Sequence, residues 1–254
     1  MIEPKISVVI PVGPKPSHKQ WLKECIDSVM NQTVLPQELL LIDDMGHINL
    51  RDYFGANIST YPVHLDATTD HNFMIYEDFI FDNGVSVSKF NMPWLGGVVC
   101  GFNFGVALAK NEWVLQLGSD DILYPDAIKY GIETIKQIGD PLGLYNFSCY
   151  TKETGNPQVI NWYNHANIVS KSLWAKSGGL HPMTITGGMD AALVSIMMIH
   201  LSKHLHKIKD GTPLYFVRSH KDQYTLESAS KYGDFMVQLR NDLTNDWIEP
   251  DWTK

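Results

Sequence analysis

Three stretches of the chain share one pattern, a short apolar run that stops abruptly at turn-forming or acidic residues. Ile6 to Val12, ISVVIPV, is largely β-branched and meets Gly13 and Pro14. Leu39 to Asp44, LLLIDD, stops at an Asp pair followed by Met45 and Gly46. Glu112 to Leu117 runs into Gly118, Ser119, Asp120 and Asp121, with Pro125 just beyond. Continuous apolar runs bounded by turn residues predict strands buried on two faces, as in a parallel sheet. Between the first two, Trp21 to Gln32 places Leu22, Cys25, Ile26, Val29 and Met30 at helical spacing, so the order is strand, helix, strand. Gly97 to Ala109 alternates small and apolar residues and predicts a second helix. Tyr124 to Ile138 predicts a third, amphipathic, with Ile128, Ile132 and Ile135 on one side. The expected sheet presents Pro11, Asp43 and Asp120 on its C-terminal edge, where open α/β sheets bind ligands.

Elsewhere the pattern is weaker. Met45 to Leu95 has no clear period, no internal repeat and no low-complexity tract, and its Tyr76, Trp94, Asp and Asn residues are scattered. Ala191 to Leu201 is too short to span a bilayer and reads as a buried helix. The tail from Tyr232 to Lys254 reads as a short helix and an extended end, packed on the body or on a partner subunit.

Composition narrows the class. With 254 residues, 44% hydrophobic and 19% charged, the chain can bury a sizeable core and is most simply one domain. Its net charge of −8 and the lack of a dense Lys/Arg cluster argue against a sequence-independent grip on nucleic-acid phosphates. Cys25, Cys100 and Cys149 are far apart and lack paired metal or redox spacing, so they read as reduced core residues. The absence of a secretory leader pattern and of a spanning apolar run predicts a cytoplasmic enzyme without stable membrane insertion.

In this order, ISVVIPV, LLLIDD and GVVCGFNFGVALAKNEWVLQLGSDD resemble the signature of family 2 glycosyltransferases of GT-A fold. That signature is a strand ending in proline, a strand ending in Asp-Asp, a Gly-rich helix with Ala-Arg-Asn, and a strand ending in Asp-x-Asp-Asp. Downstream, IVSKSLWAKSGGL (Ile168 to Leu180) resembles the family's Gly-Gly-Phe segment, GGMD (Gly187 to Asp190) its Glu-Asp pair, and YFVRSH (Tyr215 to His220) its late Tyr-Arg-x-His stretch. The resemblance covers the chain apart from Met45 to Leu95 and the tail. It implies a three-layer α/β/α sandwich around a mostly parallel sheet. Residues 1–123 would form the nucleotide-sugar half, 124–231 the acceptor and catalytic half, and 232–254 the tail.

The resemblance also implies an activity: metal-dependent transfer of a sugar from a nucleotide diphosphate, a UDP-sugar as first expectation, to a hydroxyl acceptor. A divalent ion, Mn2+ or Mg2+, stabilises charge on the leaving diphosphate. Asp120 is the implied metal ligand and His220 a second. Asp43 and Asp44 accept from a base N–H or ribose hydroxyl, and Pro11, Val12 and Gly13 line the base pocket. Gly97, Asn103 and Ser119 complete the nucleotide-sugar set. Asp190 is the candidate general base for an inverting displacement, and His181, after Gly178 and Gly179, is the alternative.

Three positions depart from the family pattern. Gly118 replaces the first Asp of Asp-x-Asp, Phe102 stands where Arg often precedes Asn103, and Met189 replaces the Glu before Asp190. Loss of the first carboxylate keeps a non-catalytic sugar-nucleotide or glycan-binding module in view as an alternative. A nucleotidyltransferase is a second, although GPKPSHK has one glycine where such enzymes carry a basic Gly-rich loop.

Several residues also have plain structural readings. Asp43, Asp44 and Asp121 suit turns or caps, and Asp190 suits the cap of a helix starting near Ala191. Gly96, Gly97, Gly101 and Gly105 suit tight helix-to-sheet packing. Trp94, Trp162 and Trp174 suit the core as well as sugar stacking. His200, His204 and His206 form a polar face beside Lys203 and Lys207 that suits an anionic acceptor. A glycan is the first expectation for acceptor. A protein, a lipid-linked sugar or a hydroxylated DNA base is also compatible, the acidic charge disfavouring the last. Oligomeric state is not legible.

Overall fold

The computed structural model describes residues 3–55, 59–64, 73–92, 96–153, 156–160, 166–180 and 202–218, together with His220, Gln238 and Asn245. Strand β1 (Ile6–Val12) lies between β2 (Glu38–Asp43) and β6 (Trp113–Gln116), parallel to both. On its other side β2 pairs in parallel with β5 (Ser86–Asn91). These four strands form the parallel centre of a mixed sheet, and every residue of β1 and β2 is buried. Apolar residues on both faces account for that placement, since a strand covered on two sides has no position that tolerates water.

The sheet extends at both ends, mostly through antiparallel pairings. Beyond β5 lie β4 (Phe73–Ile80) and then β3 (Ser59–His64). Beyond β6 come β10 (Asn167–Ser170), β8 (Leu144–Glu153), β11 (Leu205–Val217) and the short β7 (Ile122–Leu123), with β9 (Asn156–Ile160) paired to β8.

Helices cover both faces and make the three-layer arrangement. On one face α2 (Leu22–Met30) and α5 (Ala127–Ile138) bring Leu22, Cys25, Ile26, Ile128, Ile132 and Ile135 against Ile6, Val8 and Ile10. On the other, α4 (Gly97–Leu108) and α6 (Lys171–Ser177) bring Val99, Phe102, Val106, Leu173 and Trp174 against Val9, Leu40 and Ile42. The residues of β1 thus alternate between two cores. Trp174, 7% exposed, belongs to the second and not to a sugar platform. The α4 glycines allow this helix to lie close on the sheet. A Cβ at Gly105 would stand 2.2 Å from a Val9 methyl, and one at Gly101 would stand 2.8 Å from Pro11 Cβ. Cys25 and Cys100 are free thiols, as expected.

The region from Met45 to Leu95 carries more structure than its sequence declares, with α3 (Leu50–Phe54), β3, β4 and β5 inside it. Its pattern is obscured because β5 buries Ser88 and Lys89 rather than an apolar alternation. The Lys89 ammonium is 4% exposed; it donates to the Ile48 carbonyl at 2.7 Å and pairs with Glu77 at 3.3 Å. A buried cation with both a carbonyl and a carboxylate partner is tolerated where a lone one is not.

At the N-terminal edge, opposite the acidic strand ends, His204 and His206 face Asp140 at 2.9 and 2.7 Å. Their ring nitrogens therefore meet a carboxylate and not an anionic acceptor. Burial raises the Asp140 carboxyl, but hydrogen bonds from His206 and His204 outweigh it and hold the group below its ordinary range. A depressed folded-state value stabilises the fold above the unfolded-chain pKa of about 3.9 and stops doing so as pH falls through the folded value. Asp140→Asn is therefore expected to lower denaturation midpoints at neutral pH, with the gap from wild type closing below about pH 4. A gap independent of pH would contradict the assignment.

Candidate functional site

The site forms where β6 ends. The Leu117 amide still bonds to the Val9 carbonyl at 3.1 Å, after which Gly118 to Asp121 turn and enter β7. Strand β7 pairs with the last residues of β11, Leu123 with Tyr215 and Ile122 with Phe216. This pairing carries the chain back to Asp120, and His220 Nε2 lies 3.0 Å from Asp120 Oδ2 although the two are 100 residues apart.

Two neighbours fix that meeting. The Tyr215 hydroxyl donates to Asp121 Oδ2, and the Arg218 amide donates to Asp121 Oδ1 at 2.9 Å. Arg218 Nε donates to the Asp120 carbonyl at 2.8 Å, its Nη2 pairs with Glu24 on α2, and its guanidinium lies 4.0 Å from the centre of the Trp21 ring. Asp121 is therefore a buried clamp. Asp120, with a side chain 26% exposed, is the carboxylate a ligand can reach.

Gly118 makes this arrangement possible. A Cβ there would stand 2.9 Å from Asp121 Oδ2 and 3.0 Å from Asp120 Oδ1. With Asp121 held by Tyr215, the first carboxylate of an Asp-x-Asp pattern does not fit at this position without a shift of the loop. Behind it, the buried Cys25 thiol donates to the Gly118 carbonyl at 3.2 Å, and burial pushes that thiol well above its ordinary range.

At the ends of β1 and β2 the expected nucleotide-binding groups have backbone partners. Asp44, 2% exposed, accepts from the Gly96 and Gly97 amides at 2.7 Å each and so anchors the start of α4. Asp43, 1% exposed, accepts from the Ile48 amide at 2.9 Å. Burial pushes its carboxyl up, against the opposite pull of Ile48, Lys89 and the Gly46 and His47 amides. The loop between them holds Met45 and His47 at φ 62° and 52°, a left-handed conformation that costs a residue with a Cβ about 1 kcal/mol or more. Met45 is left 41% exposed beside the strand ends. The Asn103 side chain both donates to and accepts from the Leu180 backbone, at 2.6 and 2.9 Å, and so ties α4 to the residue before His181. Ser119 is 8% exposed in the β6 turn.

His18 is the residue that sequence reasoning missed. It sits on α1 (Pro16–Gln20), and its ring covers Gly13, where a Cβ would come within 2.3 Å of Nδ1. Burial lowers its pKa, the nearby Gly13 carbonyl and Asp120 raise it, and Lys15 and His220 lower it again. No spacing in the sequence links His18 to a residue a hundred positions away. Asp190 and His181, the candidate bases, lie outside the described residues.

One carboxylate and one imidazole on a half-open edge suit a divalent cation whose other positions are filled by phosphate and water. Among the described residues no group of three His, Cys, Asp or Glu side chains is arranged to hold a metal by itself. No described helix is long and apolar enough to cross a membrane.

No protein-family model matches the chain. It is 25% identical over 152 residues, 59% of its length and 42% of the other protein, to the glycosyltransferase GlyG of Streptococcus pneumoniae serotype 4. It is 26% identical over 126 residues, 50% of its length and 10% of the other protein, to the hyaluronan synthase of Pasteurella multocida. The chain thus covers less than half the length of either. Among solved structures, S. aureus TarS 1–349 in complex with UDP-GlcNAc superposes with a TM-score of 0.67 at 14% identity, over 94% of this chain and 66% of that one. Its complex with UDP gives 0.61 at 15% identity, over 85% and 60%. Fold and sequence relatives agree on the class, that of glycosyltransferases with GT-A architecture. Within it, the order of motifs resembles that of family 2.

Proposed function

We propose that this chain is a metal-dependent, inverting glycosyltransferase that moves a sugar from a nucleotide diphosphate, UDP first, to a hydroxyl group. The observation that carries the reading is the Asp120–His220 pair, 3.0 Å apart on the C-terminal edge of a parallel sheet. A cation there, Mn2+ or Mg2+, would stabilise charge on the departing diphosphate. Asp120 and His220 would hold it, and the backbone of Pro11, Val12 and Gly13 would line the base. The UDP and UDP-GlcNAc complexes of TarS support uracil as the base and an N-acetylated hexose as one sugar to try.

Asp190 takes the acceptor proton, with His181 as the alternative, and a glycan hydroxyl is the acceptor class. The absence of a carboxylate at Gly118 favours a second reading, a binding module that holds the donor without transferring its sugar.

Calorimetric titration with UDP, GDP, CDP and dTDP, in Mn2+ and again in EDTA, tests the donor site. Binding of one nucleotide that requires the metal is expected, and no binding of any would end the reading. Incubation with the matching nucleotide sugars and glycan acceptors then separates transferase from module. Asp190→Asn is expected to abolish transfer with donor affinity unchanged, and retained transfer would exclude Asp190 as the base.

A further inference from the structure

We propose that His18 is a ligand-binding residue of this site, donating from Nε2 to the diphosphate of the bound nucleotide; the proposal rests on the nucleotide-diphosphate reading above. The site draws on three segments far apart in sequence. His18 comes from α1, Asp120 from the β6 turn, and His220 from beyond β11. The ring of His18 is seated on Gly13 at the end of β1, and glycine is what leaves room for it, since a Cβ would lie 2.3 Å from Nδ1 and 2.7 Å from Cε1. It is also close enough to Asp120 and His220 to feel the charge of both.

Its position matches the path a nucleotide must take. With the base at the ends of β1 and β2 and the cation at Asp120, the two phosphates run from the β1 end toward the β6 turn. His18 covers the start of that path. Asp120 alone would repel a phosphate, so the path needs a donor on its near side as well as the cation on its far side.

The ring is poised for such a contact. Nδ1 is sealed from solvent and makes no hydrogen bond of good geometry, although the Gly13 carbonyl is near. With Nδ1 buried against Gly13, the contact falls to Nε2, which carries the proton of the neutral ring in the tautomer that can donate. The same loop is held in place from its other side, where Lys19 Nζ donates to the Gly46 carbonyl at 3.0 Å. His18 is therefore presented on a short, anchored helix.

The test is calorimetric binding of uridine, UMP and UDP in Mn2+ to wild type, His18→Ala, His18→Gln, Gly13→Ala and the His18→Ala/Gly13→Ala double variant. Loss of one hydrogen bond to a charged phosphate is expected to lower UDP affinity about tenfold with uridine affinity unchanged, so the preference for UDP over uridine falls about tenfold. Gly13→Ala, which displaces the ring, is expected to give the same loss, and the double variant no further loss. His18→Gln, which keeps an N–H donor, is expected to recover part of the preference. A purely structural His18 would weaken all three ligands alike; an unchanged preference in both His18 variants overturns the proposal and leaves the nucleotide reading intact. Failure of wild type to bind any of the three overturns both.

Discussion

Asp120→Asn is expected to remove the metal dependence of nucleotide binding, lowering UDP affinity in Mn2+ by about two orders of magnitude, to the level measured in EDTA. The substitution keeps the shape of the side chain and an amide that can still meet His220. What it removes is the negative charge, and a hard divalent cation depends on that charge. His220→Ala is expected to have a smaller effect, about tenfold, because water can replace a neutral imidazole in the coordination sphere more readily than it can replace a carboxylate. Binding in EDTA should be the same for all three proteins, since the proposed reading puts the base and ribose at the ends of β1 and β2, away from the cation. Retention of Mn2+-dependent binding by Asp120→Asn would mean that the cation sits elsewhere and would undo the assignment of this edge.

The parts of the fold that could be read in the sequence are those in which burial is symmetrical. Strands β1 and β2 are buried throughout and mostly apolar because helices cover both of their faces, and the expected boundaries agree with the structure to within a residue. Strand β5 is equally central but buries Ser88 and Lys89, whose partners are the Ile48 carbonyl and Glu77, so hydropathy gives no sign of it. Residue type likewise cannot say what a polar group faces. Asp44 and Asn103 stand in the motif positions that suggested ligand contacts, yet each is committed to backbone, Asp44 at the start of α4 and Asn103 at Leu180. A carboxylate at a strand end looks the same in sequence whether it meets a ribose or the next turn. The approach of His220 to Asp120 was legible only through the order of motifs, and His18, which belongs to none of them, was not legible at all.

Asp121→Ala is expected to destabilise the fold by about 3 kcal/mol and to weaken Mn2+-dependent UDP binding, although Asp121 is not among the groups assigned to either ligand. Its carboxylate is 5% exposed and accepts from two donors, the hydroxyl of the fully buried Tyr215 and the Arg218 amide. Hydrogen bonds to a charged group contribute about 1.5 to 3 kcal/mol each, and removing the acceptor takes a charged partner from a buried hydroxyl. The second consequence follows from chain direction. Arg218 is two residues before His220, so losing the Asp121 contacts loosens the imidazole at Asp120, while the β7 pairing and the Arg218 Nε bond to the Asp120 carbonyl remain. Tyr215→Phe separates the two effects: it removes one hydrogen bond but leaves the bond to the Arg218 amide, and so should cost stability while largely preserving metal-dependent binding. Urea denaturation and calorimetry on the same samples decide the matter. If Asp121→Ala were as stable as wild type, or bound UDP with Mn2+ as well as Tyr215→Phe does, the β11 end would have to be held at Asp120 by something other than this carboxylate.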